Sequence, residues 1–161
     1  MSSSRTRRCA GAAALALCLL GADRPLELRA LDGEPVVLVP GRERALVVHF
    51  WATWCPSCLE ELGGLDAAAR RCAAAGVRIA AVNVGDPVEE IRRYLARHPL
   101  GLELLRDPEG EVWRRLAGQG LPANATWREG ERRVEVGPRS AEAWQAELAR
   151  LGCDAAAGGG S

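Results

Sequence analysis

The sequence predicts an α/β fold in which a mixed central sheet carries helices on both faces. Three observations lead there. Two nearly continuous apolar runs, "ALVVHFW" (45–51) and "GVRIAAVNVG" (76–85), suit strands covered on both sides. Each run is followed by a stretch with helical spacing of apolar residues, the crossover that parallel strands need. Hairpin signals near both ends of the chain then add antiparallel strands. The chain has 161 residues, almost half of them apolar, which allows one domain with a substantial core.

The elements follow in order. "PLELRALDGEPVVLV" (25–39) holds two short apolar stretches around Asp32-Gly33, a hairpin. After the strand at 45–51 a helix is expected from Pro56 to about Ala75. It places Cys58, Leu62, Leu65, Ala69 and Cys72 on one face and Glu60, Asp66, Arg70 and Arg71 outside it. After the strand at 76–85, "DPVEEIRRYLARH" (86–98) reads as a helix with Asp86 as cap and Pro87 in its first turn. A strand within 100–110 and a short helix at 111–118 come next. "ANATWREGERRVEVG" (123–137) is a hairpin turning at Glu129-Gly130, and 140–152 is an amphipathic helix capped by Ser140 and stopped by Gly152.

Formal net charge is zero, which argues against electrostatic binding to nucleic acid. Residues 1–22 contain Arg5, Arg7 and Arg8 and then an apolar run to Ala22. That run matches a signal-peptide core and is shorter than the roughly 20 residues a spanning helix needs. Leu20 is large for the −3 position of a cleavage site, so a cleaved export signal and a retained membrane anchor both stay open. Residues 23–153 form the expected domain, and the small, Gly-rich 154–161 a disordered tail.

The chemistry concentrates in "WATWCPSCLEEL" (51–62). Cys55 follows a buried strand and precedes a helix whose first position, Pro56, loses nothing by lacking an N–H. Cys55 is then the N-cap, its sulfur facing the free N–H groups of the first turn. Those donors and the positive helix end favour a thiolate, lowering the pKa below the free value of roughly 8.5. One turn separates the α-carbons of Cys55 and Cys58 by about 5 Å, within disulfide range. Cys55 is expected to be exposed and to attack, with Cys58 on the inner face to resolve a mixed disulfide. A zinc site would need further Cys or His ligands, and the two histidines, His49 and His98, are not spaced as a pair. No metal or other cofactor is expected.

With those residues in view, the chain resembles a thioredoxin-fold thiol–disulfide oxidoreductase of the exported TlpA/ResA type, a branch associated with cytochrome c maturation. "HFWATWCPSCLEEL" is similar to that family's active-site stretch, "LELRALDGEPVVLV" to its N-terminal hairpin, and the segment from Val82 to Pro122 to its inserted helix and strand. The resemblance implies a cis-proline at Pro122 facing the thiol pair and Leu121 as a backbone contact for an incoming peptide. It also implies Trp54 as flanking surface and Glu61 as a carboxylate near the thiols; an ordinary solvated helix glutamate is the alternative for Glu61. Two departures stand out. "ANATW" follows Pro122 where the family usually has a threonine pair and an aromatic, and His49 replaces a buried Asp or Asn.

In this fold the active-site helix and the last helix cover one sheet face and run away from the active site. That implies a structural Cys72–Cys153 disulfide, with two unpaired cysteines as the alternative. His49 either accepts the proton of Cys58 or is a core histidine held by a backbone carbonyl. The expected partners are protein thiols or disulfides, apocytochrome c among them, and a membrane thiol-reductant donor. The expected location is periplasmic, soluble or anchored to the inner membrane. Within this fold class a reductant and a disulfide oxidase or isomerase share one motif, at potentials from roughly −270 to −120 mV. A copper chaperone for respiratory oxidase assembly is the alternative from another class.

Overall fold

A computed structural model describes residues 23–153; the expected export segment and tail lie outside the described residues. Seven strands and four helices are arranged as β1 (Leu26–Arg29), β2 (Pro35–Leu38), β3 (Ala45–Trp51), α1 (Pro56–Ala74), β4 (Val77–Val84), α2 (Val88–Arg97), β5 (Glu103–Asp107), α3 (Glu111–Leu116), β6 (Ala123–Arg128), β7 (Glu131–Val136) and α4 (Ala141–Arg150). They form one sheet in the order β2-β1-β5-β4-β3-β6-β7. The β3–β4 and β4–β5 pairs are parallel, and every other pair is antiparallel. This is the mixed α/β sheet that the apolar runs predicted. The turn joining β6 and β7 has positive φ at both Glu129 (54°) and Gly130 (81°), the conformation that tight hairpins favour.

The pleat of β3 divides the core in two. Ala45, Val47 and Trp51 point to the face covered by α1, α2 and α4. Leu46, Val48 and Phe50 point to the other, where Leu26, Leu28 and Leu38 of the N-terminal hairpin and Val112 of α3 pack. All seven residues of β3 are buried, as a central strand between two helical layers must be. His49 falls, by alternation, on the α1 side.

One end of the domain is tied by Arg44, which enters β3. Its Nε donates to the Ala75 carbonyl at the end of α1 (2.8 Å), and its guanidinium also donates to the Leu151 carbonyl at the end of α4. Gly152 has φ +80°, a conformation that favours glycine, and a Cβ there, 2.7 Å from the Arg44 guanidinium, would displace that group from its place in this clasp. Beside this clasp Cys72 and Cys153 form a disulfide with Cα–Cα 4.4 Å, both wholly buried.

Candidate active site

β3 runs through the middle of the sheet and releases the chain at its C-terminal edge, where Ala52–Trp54 cross to α1. Asp86 fixes this short crossing. Its Oδ2 accepts from the backbone N of Thr53 (2.6 Å) and from Asn83 Nδ2 (2.8 Å). Asp86 therefore does not cap α2, as its sequence position suggested. The N-cap is Pro87, with no side-chain cap bond. The buried carboxylate is committed instead to the donors of the neighbouring loop and strand end.

Cys55 is the N-cap of α1 in extended conformation (φ −104°, ψ 96°), with Pro56 opening the first turn. It is bonded to Cys58, Cα–Cα 5.3 Å, one turn into the helix. The bridge changes two expectations. Cys55 is 5% exposed rather than open to solvent, and its sulfur makes no cap bond. In the bridged pair the Cys55 sulfur lies 3.7 Å from Ser57 Oγ in the first helical turn. What stands open beside the pair is Trp54, 69% exposed.

The register of β6 on β3 pairs Phe50 with Ala123. Pro122 is the next residue outward, so the Leu121–Pro122 segment reaches the same end of the sheet as the Cys55 loop. The Leu121–Pro122 bond is cis. Pro122 is buried, with its carbonyl accepting from Gly137 N (2.8 Å), while Leu121 is half-buried against the apolar cluster that contains both cysteines.

Beneath the disulfide lies a buried polar group. Glu61 follows Cys58 by three residues and is on the inner face of α1, 6% exposed, not in solvent. Its Oε2 accepts from Trp144 Nε1 of α4 (2.7 Å) and its Oε1 from the backbone N of Arg139 (2.9 Å). The Arg139 guanidinium covers the Trp144 ring at 4.7 Å. His49, wholly buried, brings Nδ1 to 3.7 Å from Glu61 Oε2 and to 2.8 Å from Asn124 Oδ1. Burial pushes the imidazole below its ordinary value, opposed by the Asn124 amide, the Glu61 carboxylate and the Cys58 backbone. His49 Nε2 has no hydrogen-bond partner.

Cys55, Cys58, His49 and Glu61 thus come together, with Trp54 and Leu121–Pro122 at the same end of the sheet. Cys72 and Cys153 lie at the opposite end. Two members were missed as site residues. Asn124 carried a signal: in an otherwise apolar strand, alternation sets Asn124 and Thr126 on one face. Trp144 of α4 is buried and donates to Glu61; nothing in its local sequence announces that bond.

The AhpC/TSA family matches residues 16–129. The chain is 29% identical over 80 residues to the thiol-disulfide oxidoreductase ResA of Halalkalibacterium halodurans, covering 50% of this chain and 46% of the relative. It spans about half the length of such curated relatives. A putative thiol:disulfide interchange protein of Chlorobium tepidum superposes with TM-score 0.69 at 25% identity, over 82% of this chain and 94% of that one. A secreted disulfide oxidoreductase of Mycobacterium tuberculosis does so with TM-score 0.63 at 22% identity, over 78% and 95%. The sheet order, the cysteine pair at the β3–α1 junction and these likenesses agree: the chain belongs to the AhpC/TSA family, has a thioredoxin-like fold and is similar to ResA-type thiol–disulfide oxidoreductases.

Proposed function

We propose that the chain is a thiol–disulfide oxidoreductase that exchanges the Cys55–Cys58 pair with cysteines of another protein, working outside the cytoplasm as a reductant. The observation that carries this is the position of Cys55, N-cap of α1 and bonded to Cys58 one turn inside. When the bridge is reduced, the helix N-terminus favours the Cys55 thiolate. That thiolate attacks a substrate disulfide, forming a mixed disulfide and releasing one substrate thiolate. Cys58, deprotonated, then attacks Cys55 Sγ, closes the Cys55–Cys58 bond and frees the second substrate sulfur. Two electrons pass to the substrate, so each turnover needs a dithiol donor to reopen the bridge. Trp54, Leu121 and Pro122 offer the surface on which the substrate segment rests.

The finer reading is the cytochrome c maturation role that the resemblance implies, with apocytochrome c as substrate and a membrane thiol-reductant as donor. Export through residues 1–22, cleaved or retained as an anchor, is supported by the secreted M. tuberculosis relative. A second, buried disulfide also suits an oxidising compartment. Among the described residues no helix is long and apolar enough to cross a membrane. Cys58→Ser tests the core of the proposal: it should retain attack and accumulate mixed disulfides whose partners mass spectrometry can name. Cys55→Ser should trap none. The reverse pattern would exchange the two roles, and no trapping by either would reject the activity.

A further inference from the structure

We propose that Asn124 is a positioning residue for this exchange. With the Glu61 carboxylate beside it, its side-chain carbonyl keeps the His49 proton on Nδ1 and leaves Nε2 to receive the proton of Cys58. The inference rests on the exchange reaction proposed above and adds to it the residue that sets the proton acceptor.

His49 and Asn124 are direct cross-strand partners on β3 and β6, on the face that α1 covers. Nδ1 meets two oxygens, Asn124 Oδ1 at 2.8 Å and Glu61 Oε2 at 3.7 Å. A lone pair on Nδ1 would face both; a proton there is attracted to both. The Asn124 amide could turn and offer its Nδ2 instead, but that would leave the Nδ1 lone pair facing the Glu61 oxygen, so Asn124 Oδ1 holds the proton on Nδ1 and the Glu61 oxygen on the same side favours that arrangement. Nε2 is then an unprotonated acceptor, buried and without a partner. Buried polar atoms are rarely left so, and a nitrogen required to take up a proton during a reaction is one reason for the exception.

The ionisable and charged groups around the ring are few. Cys58 and Glu61 come from α1. Arg139, before α4, gives its backbone N–H to Glu61 and its guanidinium to the Trp144 ring. Trp144 of α4 meets the imidazole edge-on at 6.4 Å, and β6 contributes the neutral Asn124. In the step itself the Cys58 thiol proton passes to Nε2 as its sulfur bonds to Cys55 Sγ. The bond from Cys55 to the substrate sulfur breaks, and the departing thiolate takes up a proton from the imidazolium or from water. The competing arrangement puts the proton on Nε2, donated to the Cys58 backbone, which lies close enough to bear on the ring.

The experiment is long-range 1H–15N NMR on the full, reduced chain, together with rapid-mixing kinetics of the resolving step from pH 5 to 9. His98→Gln assigns the signals, because His49 and His98 are the two histidines. The expected result is protonated Nδ1 and bare Nε2 in wild type. Asn124→Val should mix the tautomers and slow the resolving step by about tenfold, with the initial attack by Cys55 unchanged. Asn124→Asp, which still accepts from Nδ1, should keep the tautomer and move the pH midpoint upward. A proton on Nε2 in wild type overturns the proposal. So does an Asn124→Val protein with unaltered tautomer and pH profile. If Asn124→Val fails to fold, the wild-type tautomer and the Asn124→Asp midpoint still decide. Failure of wild type to exchange disulfides at all would instead reject the reaction on which the inference rests.

Discussion

Replacing Cys72 and Cys153 together with alanine should remove a large part of the stability of this domain. The two cysteines are 81 residues apart, so their bond closes a long loop in the unfolded chain. The chain-entropy relation for a loop of that length gives about 4.5 kcal/mol at room temperature. Small domains have only about 5 to 15 kcal/mol in total. With an unfolding entropy near 2.1 cal/mol/K per residue over about 130 residues, the midpoint should fall by about 16 °C. Both sulfurs are wholly buried, so the space they vacate adds to the loss. The assay is thermal and urea unfolding of the oxidised wild type and the double variant at one pH. The urea m-value should rise in the variant, whose unfolded chain is no longer held compact. Exchange activity should persist, since the bond lies at the far end of the domain from Cys55. A midpoint within about 3 °C of wild type, far below the loop-closure expectation, would refute the reasoning.

Three further outcomes are expected. Glu61→Ala leaves the buried Trp144 Nε1 and the partly buried Arg139 N without their acceptor, and should destabilise by about 1 to 3 kcal/mol in urea unfolding, with Glu61→Gln losing less. His49 has a folded pKa below the unfolded value of about 6.5, so its contribution is fully present above that pH and is lost as pH falls toward the folded value. Wild type should therefore lose stability below pH 6.5 faster than His49→Asn, by at most about 1.4 kcal/mol per pH unit; parallel curves would contradict the burial argument. Asp86→Ala frees the Thr53 amide, and hydrogen exchange there should accelerate while the amides of β3 remain protected.

Several features were legible in the sequence because they depend on neighbours in the chain. Apolar runs without alternation mark strands buried on both faces, and Asp32-Gly33 and Glu129-Gly130 mark reversals. A cysteine directly before proline at a strand–helix junction is an N-cap whatever surrounds it, and the three-residue spacing fixes the Cys55–Cys58 distance. The tertiary structure decided what depends on residues far apart in sequence. Alternation set His49 opposite Phe50 but could not say which face α1 would cover. Glu61 lies next to Leu62 on a helix whose charges mostly face water; only packing against α4, 83 residues away, gives it the Trp144 donor and buries it. Asp86 had the position and chemistry of a helix cap, and the crossing loop 33 residues upstream took its oxygen instead. Asn124 meets His49 across 75 residues through the register of two strands. Local spacing fixes secondary structure through contacts a few residues away, whereas the partner of a buried polar atom is chosen by how whole elements pack.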